Sequence, residues 1–84
     1  MKQRKIKPGL YRHFNGEMYR VLSIATHTEN GGQLVIYRDE KSGKVWAQPY
    51  EMFASPVDRE KYPDARRKWR FKRVMMETKE DDNG

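Results

Sequence analysis

Apolar and polar residues alternate along several short stretches of the chain, and turn-forming residues separate these stretches. The first stretch covers residues 10–14, and a longer second one runs from residue 17 to about residue 27. Alternation with a period of two is typical of β-strands with one buried face. Asn15-Gly16 lies between the two stretches, and both residue types tolerate positive φ. The pattern therefore predicts two strands joined by a two-residue type I′ hairpin.

The register of this hairpin predicts which side chains face each other. With a two-residue turn, Arg12 pairs with Tyr19 and Tyr11 pairs with Arg20. The middle of the second strand, residues 21–25, is apolar on both faces. A strand that is buried on both faces is typical of one that bends across a small barrel.

Two more β-prone stretches follow at residues 33–38 and 44–48, and a glycine-containing turn precedes each of them. Pro49 then lacks the N–H group that a central strand needs. We therefore predict that residues 49–53 form a single helical turn that begins at the proline.

The last patterned segment covers residues 68–74. Trp69 and Phe71 alternate there with basic residues, which predicts a strand with an apolar inner face and a basic outer face. Four short strands, a one-turn helix and a last strand are the order of elements in an SH3-like barrel. The predicted fold class is therefore all-β, as a small SH3-like barrel of about five strands with a one-turn helix before the last strand. An OB-like barrel needs longer strands and a helix between its third and fourth strands, and the pattern lacks both.

Length and composition restrict the class of protein. A chain of 84 residues, of which 36% are hydrophobic and 36% charged, suits one domain with one small core. The chain has no cysteine, which excludes disulfides and thiolate metal sites. No apolar run approaches the roughly 20 residues of a transmembrane helix, and the first residues lack the apolar region of a secretory signal. We expect a soluble cytoplasmic protein without a membrane partner.

Basic residues are concentrated near the two ends of the chain, whose formal net charge is +6. Residues 1–7 carry +4 and residues 64–76 carry +5, whereas residues 8–63 are neutral and residues 77–84 carry −3. Lysine and arginine bind phosphates with release of counterions, and exposed rings stack on bases. The alternative functional prediction is therefore binding of single-stranded DNA or RNA by Arg66, Arg67, Lys68, Arg70, Lys72 and Arg73.

These patterns divide the chain into three parts. We predict a flexible basic arm at residues 1–7, the barrel domain at residues 8–76 and a disordered acidic tail at residues 77–84. An exposed edge strand can pair with a second copy, so a monomer or a weak homodimer is expected.

Amphipathic aromatic residues are frequent for a barrel of this size, at Tyr11, Tyr19, Tyr37, Trp46 and Tyr50. SH3-like folds bind extended segments in an aromatic groove near the helical turn. Charged side chains beside such a groove fix a polar ligand through charge-assisted hydrogen bonds. The preferred functional prediction is a binding module for a peptide or a small polar ligand, with the ligand-binding residues Tyr11, Arg12, His13, Trp46 and Glu51.

A structural interpretation competes for several of these residues. Trp46 and Tyr19 are equally suited to fill the core, and Tyr11 can form a cross-strand cation–π contact with Arg20. The sequence leaves both interpretations open.

Metal binding and catalysis are the weaker alternatives. His13 and His27 are expected on opposite faces of the hairpin, so they share a metal ion only if a bulge intervenes. Glu51 has aromatic neighbours in the sequence, but a first-turn glutamate is also favoured by the helix dipole. We therefore expect no metal, no cofactor and no catalytic activity.

The aromatic and glycine positions also form a recognisable pattern along residues 9–74: Gly9-x-Tyr11-Arg12-His13-Phe14-x-Gly16, Tyr19-x-Val21, Ala25-x-His27, Val35-x-Tyr37, Trp46-x-x-Pro49-x-Glu51-Met52-Phe53 and Phe71-x-x-Val74. This pattern resembles the short bacterial proteins grouped as domain-of-unknown-function family 1653. The resemblance implies a small SH3-like barrel and no established activity. Many relatives carry an arginine before the proline, where this chain has Gln48, so a ligand-binding role of that arginine does not transfer to this chain.

Overall fold

Five antiparallel strands and one short helix form the part of the chain, residues 4–74, that the computed structural model describes. The elements are β1 (Gly9–His13), β2 (Met18–Thr26), β3 (Gln33–Asp39), β4 (Val45–Pro49), α1 (Tyr50–Phe53) and β5 (Phe71–Arg73). The predicted all-β class and the predicted order of elements are confirmed. The predicted acidic tail lies outside the described residues, as do residues 1–3 of the predicted basic arm. None of the helices within residues 4–74 is long and apolar enough to span a bilayer.

The five strands form one sheet in the order β4-β3-β2-β1-β5, which is the strand order of an SH3-like barrel. β1, β2 and β3 each pair with the next strand in the sequence, whereas β5 returns to pair with β1, with Tyr11 opposite Arg73. The β2–β3 register shifts between Val21 and Ser23, and such a bulge bends the strand that contains it. The bend agrees with the prediction that the second strand crosses a barrel.

The β1–β2 hairpin corrects the predicted turn. Tyr11 pairs with Tyr19 rather than with Arg20, because the loop is one residue longer than a two-residue turn. The His13 N–H donates to the Glu17 carbonyl at 2.8 Å, and the Gly16 N–H donates to the His13 carbonyl at 2.8 Å. Two residues of β2 therefore oppose one residue of β1, which is a G1 bulge.

Side chains within the loop explain this choice of turn. Only the glycine has positive φ, with 99° at Gly16, whereas a type I′ turn also requires positive φ at Asn15. The Asn15 N–H donates to Nδ1 of His13 at 3.1 Å, and Oδ1 of Asn15 accepts the Glu17 N–H at 2.9 Å. Both hydrogen bonds satisfy backbone donors of the longer loop, and the sequence pattern does not reveal them.

The hydrophobic core centres on Phe53, which α1 supplies and which has 0% of its surface exposed. The Phe53 ring stacks on Phe71 of β5 at a centroid distance of 3.9 Å, and the edge of Tyr11 packs against it at 5.5 Å. The short helix therefore links β4 to the core and to the last strand. The buried residues of this core are Ile6, Tyr11, Val21, Val35, Phe53, Ala54 and Phe71.

Residues 4–7 pack against the barrel rather than forming a separate arm. Ile6 is only 5% exposed and belongs to the core. The hydroxyl of Tyr50 accepts the Ile6 N–H at 2.6 Å and donates to the Arg4 carbonyl at 3.2 Å. Nη2 of Arg4 donates to the Phe71 carbonyl at 2.7 Å. Four residues of the predicted arm are therefore part of the folded domain.

The predicted last strand is also shorter than expected. β5 comprises only Phe71–Arg73, and Trp69 pairs with Pro56 in an isolated bridge. The Arg70 N–H donates to the Ser55 carbonyl at 3.1 Å. The loop after α1 therefore holds this segment, and the Phe14 N–H, directly after β1, donates to the Arg70 carbonyl at 2.9 Å.

Candidate functional site

A cleft of about 240 Å³ opens between the two edge strands of the sheet. β4 contributes Trp46 and Gln48 to one side, and Phe71 of β5 lies on the other. Strands that are not neighbours in the sheet therefore border one cavity, because the sheet curls around the core. We name it the aromatic cleft, and its lining residues are His13, Tyr19, Tyr37, Trp46, Gln48, Arg70 and Phe71.

Aromatic rings in edge-to-face contact form the wall of the aromatic cleft. Tyr19 and Tyr37 meet at a centroid distance of 5.5 Å and an interplanar angle of 80°. Each of these rings also packs against Phe71, in both cases at 5.7 Å. Trp46 stands at the rim, 44% exposed, with the Lys44 ammonium 4.6 Å from the centre of its ring. Edge-to-face packing fixes the rings in place, so the wall is preorganised.

Gln48 places an unsatisfied acceptor among these rings. Its Oε1 atom is buried and accepts no hydrogen bond from any residue within 4–74. The residue lies in β4 opposite Val35, which is fully buried in β3. A buried acceptor without a donor costs about 1–3 kcal/mol. This cost gives the Gln48 amide a reason to turn towards a hydrogen-bond donor in the aromatic cleft.

His13 is held in one neutral form at the cleft. Its Nδ1 accepts the Asn15 N–H at 3.1 Å, which leaves the proton of a neutral imidazole on Nε2. Burial lowers the pKa of His13, the hydrogen bond with Asn15 opposes this shift, and the cation of Arg70 adds to it. Near neutral pH the ring is therefore uncharged, and its Nε2–H is a donor.

The two cleft tyrosines stay protonated for a similar reason. Burial raises the pKa of Tyr19, and the carboxylates of Asp39 and Glu17 raise it further. Burial also raises the pKa of Tyr37, with a further contribution from Tyr19. Both hydroxyl groups therefore remain neutral at physiological pH and serve as donors or acceptors.

Arg70 brings the positive charge of the aromatic cleft. Its Nε donates to Oγ of Ser55 at 3.2 Å, which fixes the guanidinium on the loop after α1. The group forms no other hydrogen bond within residues 4–74, so most of its N–H donors remain for a ligand. The sequence assigned Arg70 to the nucleic-acid surface, but the structure places it in the aromatic cleft.

The structure separates the five residues predicted to bind the ligand. His13 and Trp46 line the aromatic cleft. Tyr11 is a core residue, 2% exposed, and its hydroxyl exchanges hydrogen bonds with the backbone of Lys7 at 3.1 Å. Arg12 on β1 and Glu51 on α1 are exposed and do not line this cleft.

The predicted contact between Tyr11 and Arg20 is wrong because the hairpin register differs. The guanidinium of Arg73 lies 6.0 Å from the centre of the Tyr11 ring instead. Nε of Arg20 pairs with a carboxylate oxygen of Glu40 at 3.5 Å.

Five cleft residues are not among those predicted to bind the ligand: Tyr19, Tyr37, Gln48, Arg70 and Phe71. The sequence does contain a signal for Gln48. It follows Trp46 by two residues in β4, and residues two apart in a strand lie on the same face of the sheet, so Gln48 could have been predicted beside Trp46. The positions of Arg70 and Phe71 depend on the curvature of the sheet, which the sequence pattern does not specify.

A second groove, of about 370 Å³, collects most of the predicted basic row. The guanidinium of Arg4 lies 4.2 Å from the centre of the Trp69 ring, and the Lys68 ammonium lies 4.9 Å from it. The exceptions are Arg70, in the aromatic cleft, and Arg73, over the Tyr11 ring. We name this surface the basic groove, and its lining residues are Arg66, Arg67, Lys68, Trp69 and Lys72.

Among residues 4–74, no group of three histidine, cysteine, aspartate or glutamate side chains is placed to hold a metal ion.

Comparison with known proteins yields one family and one similar fold. The sequence model of a family described as "Protein of unknown function (DUF1653)" matches residues 9–73. The crystal structure of a DUF1653 protein from Bordetella bronchiseptica superimposes with a TM-score of 0.71 at 24% sequence identity. The match covers 87% of this chain and 92% of that one. No curated protein matches the chain. At this level of identity the structural likeness shows the fold alone.

Proposed function

Since the chain belongs to the DUF1653 family of proteins of unknown function, we propose that it is a non-catalytic binding module whose aromatic cleft holds a peptide or a small polar ligand. The observation that carries this proposal is the buried Oε1 of Gln48, which has no donor within residues 4–74. A buried polar atom of this kind is normally satisfied. A turn of the Gln48 amide towards the cleft would present this acceptor to a ligand N–H or O–H group, because Oε1 is closed to solvent in the present side-chain position.

The other polar groups of the cleft indicate the rest of the ligand's chemistry. Arg70 offers several guanidinium donors, and the neutral imidazole of His13 offers its Nε2–H. Donors of this kind bind a carboxylate, a phosphate or a carbonyl group, most strongly where the acceptor is charged. The ligand therefore combines a hydrogen-bond donor for Gln48 with an acceptor, preferably anionic, for Arg70.

The aromatic wall supplies the apolar part of the contact. Tyr19, Tyr37 and Phe71 are fixed by edge-to-face packing, so binding orders few side chains. The half-exposed ring of Trp46 at the rim adds contact area at the entrance. This composition, apolar walls with a few placed polar groups, is typical of small-ligand and peptide sites.

Amide-shift mapping of the isotope-labelled chain tests the proposal, with a peptide library and a set of nucleotides as probes. We expect shifts at residues that line the aromatic cleft, including His13, Tyr37 and Gln48. Shifts confined to the basic groove, or no shifts with any probe, would contradict the proposal.

The variant Gln48→Met sharpens this test because it keeps the length of the side chain and removes the acceptor. We expect loss of binding of any cleft ligand together with unchanged or increased stability, since the variant removes a buried unsatisfied atom. Gln33→Met, at an exposed position in β3, is the matched control and should bind as the unmodified chain does. Unimpaired binding by Gln48→Met would show that binding does not depend on this acceptor, and it would contradict the proposal.

A further inference from the structure

We propose that the basic groove is a second binding site, which holds the phosphate backbone of a nucleic acid without regard to base sequence. Four cationic side chains line it, those of Arg66, Arg67, Lys68 and Lys72. It does not share any lining residue with the aromatic cleft. The proposal therefore stands independently of the function assigned to that cleft.

The cations of the basic groove form no ion pair with an acidic side chain within residues 4–74. The ion pairs found within residues 4–74 join Arg20 and Arg38 to Glu40, and none involves a cation of the basic groove. Like charges gathered in one concave surface repel each other and attract polyanions from solution. A bound chain of phosphates relieves this repulsion and releases its own counterions.

The hydrogen-bonding character of the lining selects the kind of anion. Arginine, lysine and the indole of Trp69 have only donors in their side chains. A phosphodiester backbone presents only acceptors along its length, which matches this lining. A peptide strand alternates N–H donors with carbonyl acceptors, so its N–H groups would find no side-chain acceptor here. The groove therefore favours a nucleic acid over an acidic peptide.

Trp69 explains why the phosphates rather than the bases are recognised. The Arg4 guanidinium lies 4.2 Å from the centre of its ring and the Lys68 ammonium 4.9 Å from it. Nη2 of Arg4 is also held by the Phe71 carbonyl at 2.7 Å, so this cation cannot easily leave the ring. The indole thus orients cations and is not a free platform for a base, in contrast to the usual role of rings in single-strand binding.

Fluorescence anisotropy of the full chain with a labelled oligothymidylate, measured across a series of salt concentrations, tests this proposal. Each phosphate contact contributes about −0.7 to the slope of log K against log[salt] for a single strand. We expect Arg67→Gln to reduce the slope by about this amount. A tenfold rise in salt should then cost the variant about fivefold less affinity than the unmodified chain.

Lys41→Gln is the matched control, because it removes the same charge from an exposed turn between β3 and β4. It should leave the slope unchanged. Equal slopes for Arg67→Gln and Lys41→Gln would overturn the proposal. The variant Gln48→Met, which tests the aromatic cleft, should bind the oligonucleotide normally.

Two competitor experiments address the chemistry of the ligand. An abasic strand of the same length should compete as well as oligothymidylate, since it carries the same phosphates. A polyglutamate of equal charge should compete poorly. Preference for particular bases, or equal competition by polyglutamate, would each contradict the assignment.

Discussion

His13 lies where the β1–β2 loop, the hydrophobic core and the aromatic cleft meet. Its Nδ1 accepts the Asn15 N–H, and its ring packs edge-on against Phe71 at 4.8 Å. The hydrogen bond requires the neutral imidazole, because protonation of Nδ1 removes the acceptor, and it also places a second cation near Arg70. One side chain therefore links the local turn to the aromatic cleft.

The lowered pKa of His13 makes the stability of the protein depend on pH. Since the unfolded state binds the proton more readily, the stabilising contribution is present above the unfolded pKa of about 6.5 and is lost as pH falls below it. We expect the urea midpoint to fall between pH 7.5 and pH 5, and His13→Gln to weaken this fall. His27→Gln is the control, because Nδ1 of His27 accepts the Glu29 N–H in the same way at 3.1 Å. An equal pH dependence in both variants would contradict the role of His13.

The β1–β2 loop shows how one element determines the positions of many side chains. Its G1 bulge places Tyr11 opposite Tyr19, and a one-residue change of register would give every residue of β1 a different partner on β2. Gly16 provides the positive φ of 99° that the bulge requires. The geometry of this loop therefore positions Tyr19 and His13 in the aromatic cleft.

Replacement of Gly16 tests the loop. A Cβ atom at Gly16 would have no neighbour within 4 Å, so the expected cost comes from the backbone conformation alone. We expect Gly16→Ala to lower the free energy of unfolding by about 1–2 kcal/mol, measured by urea denaturation. Gly16→Asn should lower the free energy of unfolding by less than Gly16→Ala does, because asparagine enters the positive-φ region more easily than alanine. No loss in the alanine variant would show that the chain adopts another turn without cost.

The elements were predictable from the sequence to a larger extent than the site. The alternation of apolar and polar residues was sufficient to predict the strands, and the position of Pro49 was sufficient to predict α1. Both signals depend only on residues that are close in the sequence. The predicted type of the β1–β2 turn was wrong, because the turn depends on hydrogen bonds of the His13 and Asn15 side chains. The sequence did not place Arg70 beside Gln48, since only the curl of the sheet brings both residues to the same cleft.

At the scale of the whole molecule, residues 4–7 connect α1 with β5 and with the segment that precedes β5. Ile6 enters the core, and the hydroxyl of Tyr50 holds the backbone on both sides of Lys5. Arg4 reaches the Phe71 carbonyl of β5 and the ring of Trp69. A segment that sequence charge alone marks as an arm thus connects α1, the last strand and the basic groove.

Substitutions in residues 4–7 should show whether this segment stabilises the protein through the packing of Ile6 or through the charge of its neighbours. We expect Ile6→Ala to lower the free energy of unfolding by about 2–5 kcal/mol and Ile6→Val by about 0.5–1.5 kcal/mol, since both remove buried methyl groups. Lys5→Ala is the adjacent control, because Lys5 is exposed and its loss should change stability by less than about 0.5 kcal/mol. Urea denaturation measures all three. Similar midpoints for Ile6→Ala and Lys5→Ala would mean that the segment contributes nothing to the core.

The pairing of β5 with β1 also constrains the order in which the chain folds. The hairpins of β1 to β4 form between neighbours in the sequence, whereas the ladder from Tyr11 to Arg73 joins the two ends of the described chain. Contacts between distant residues cost more loop entropy and form more slowly. Because Phe71 arrives with β5, an early hairpin assembly has the core face of the sheet but no aromatic cleft. The aromatic cleft is thus a property of the completed fold, and a nascent chain whose last strand has not docked does not contain it.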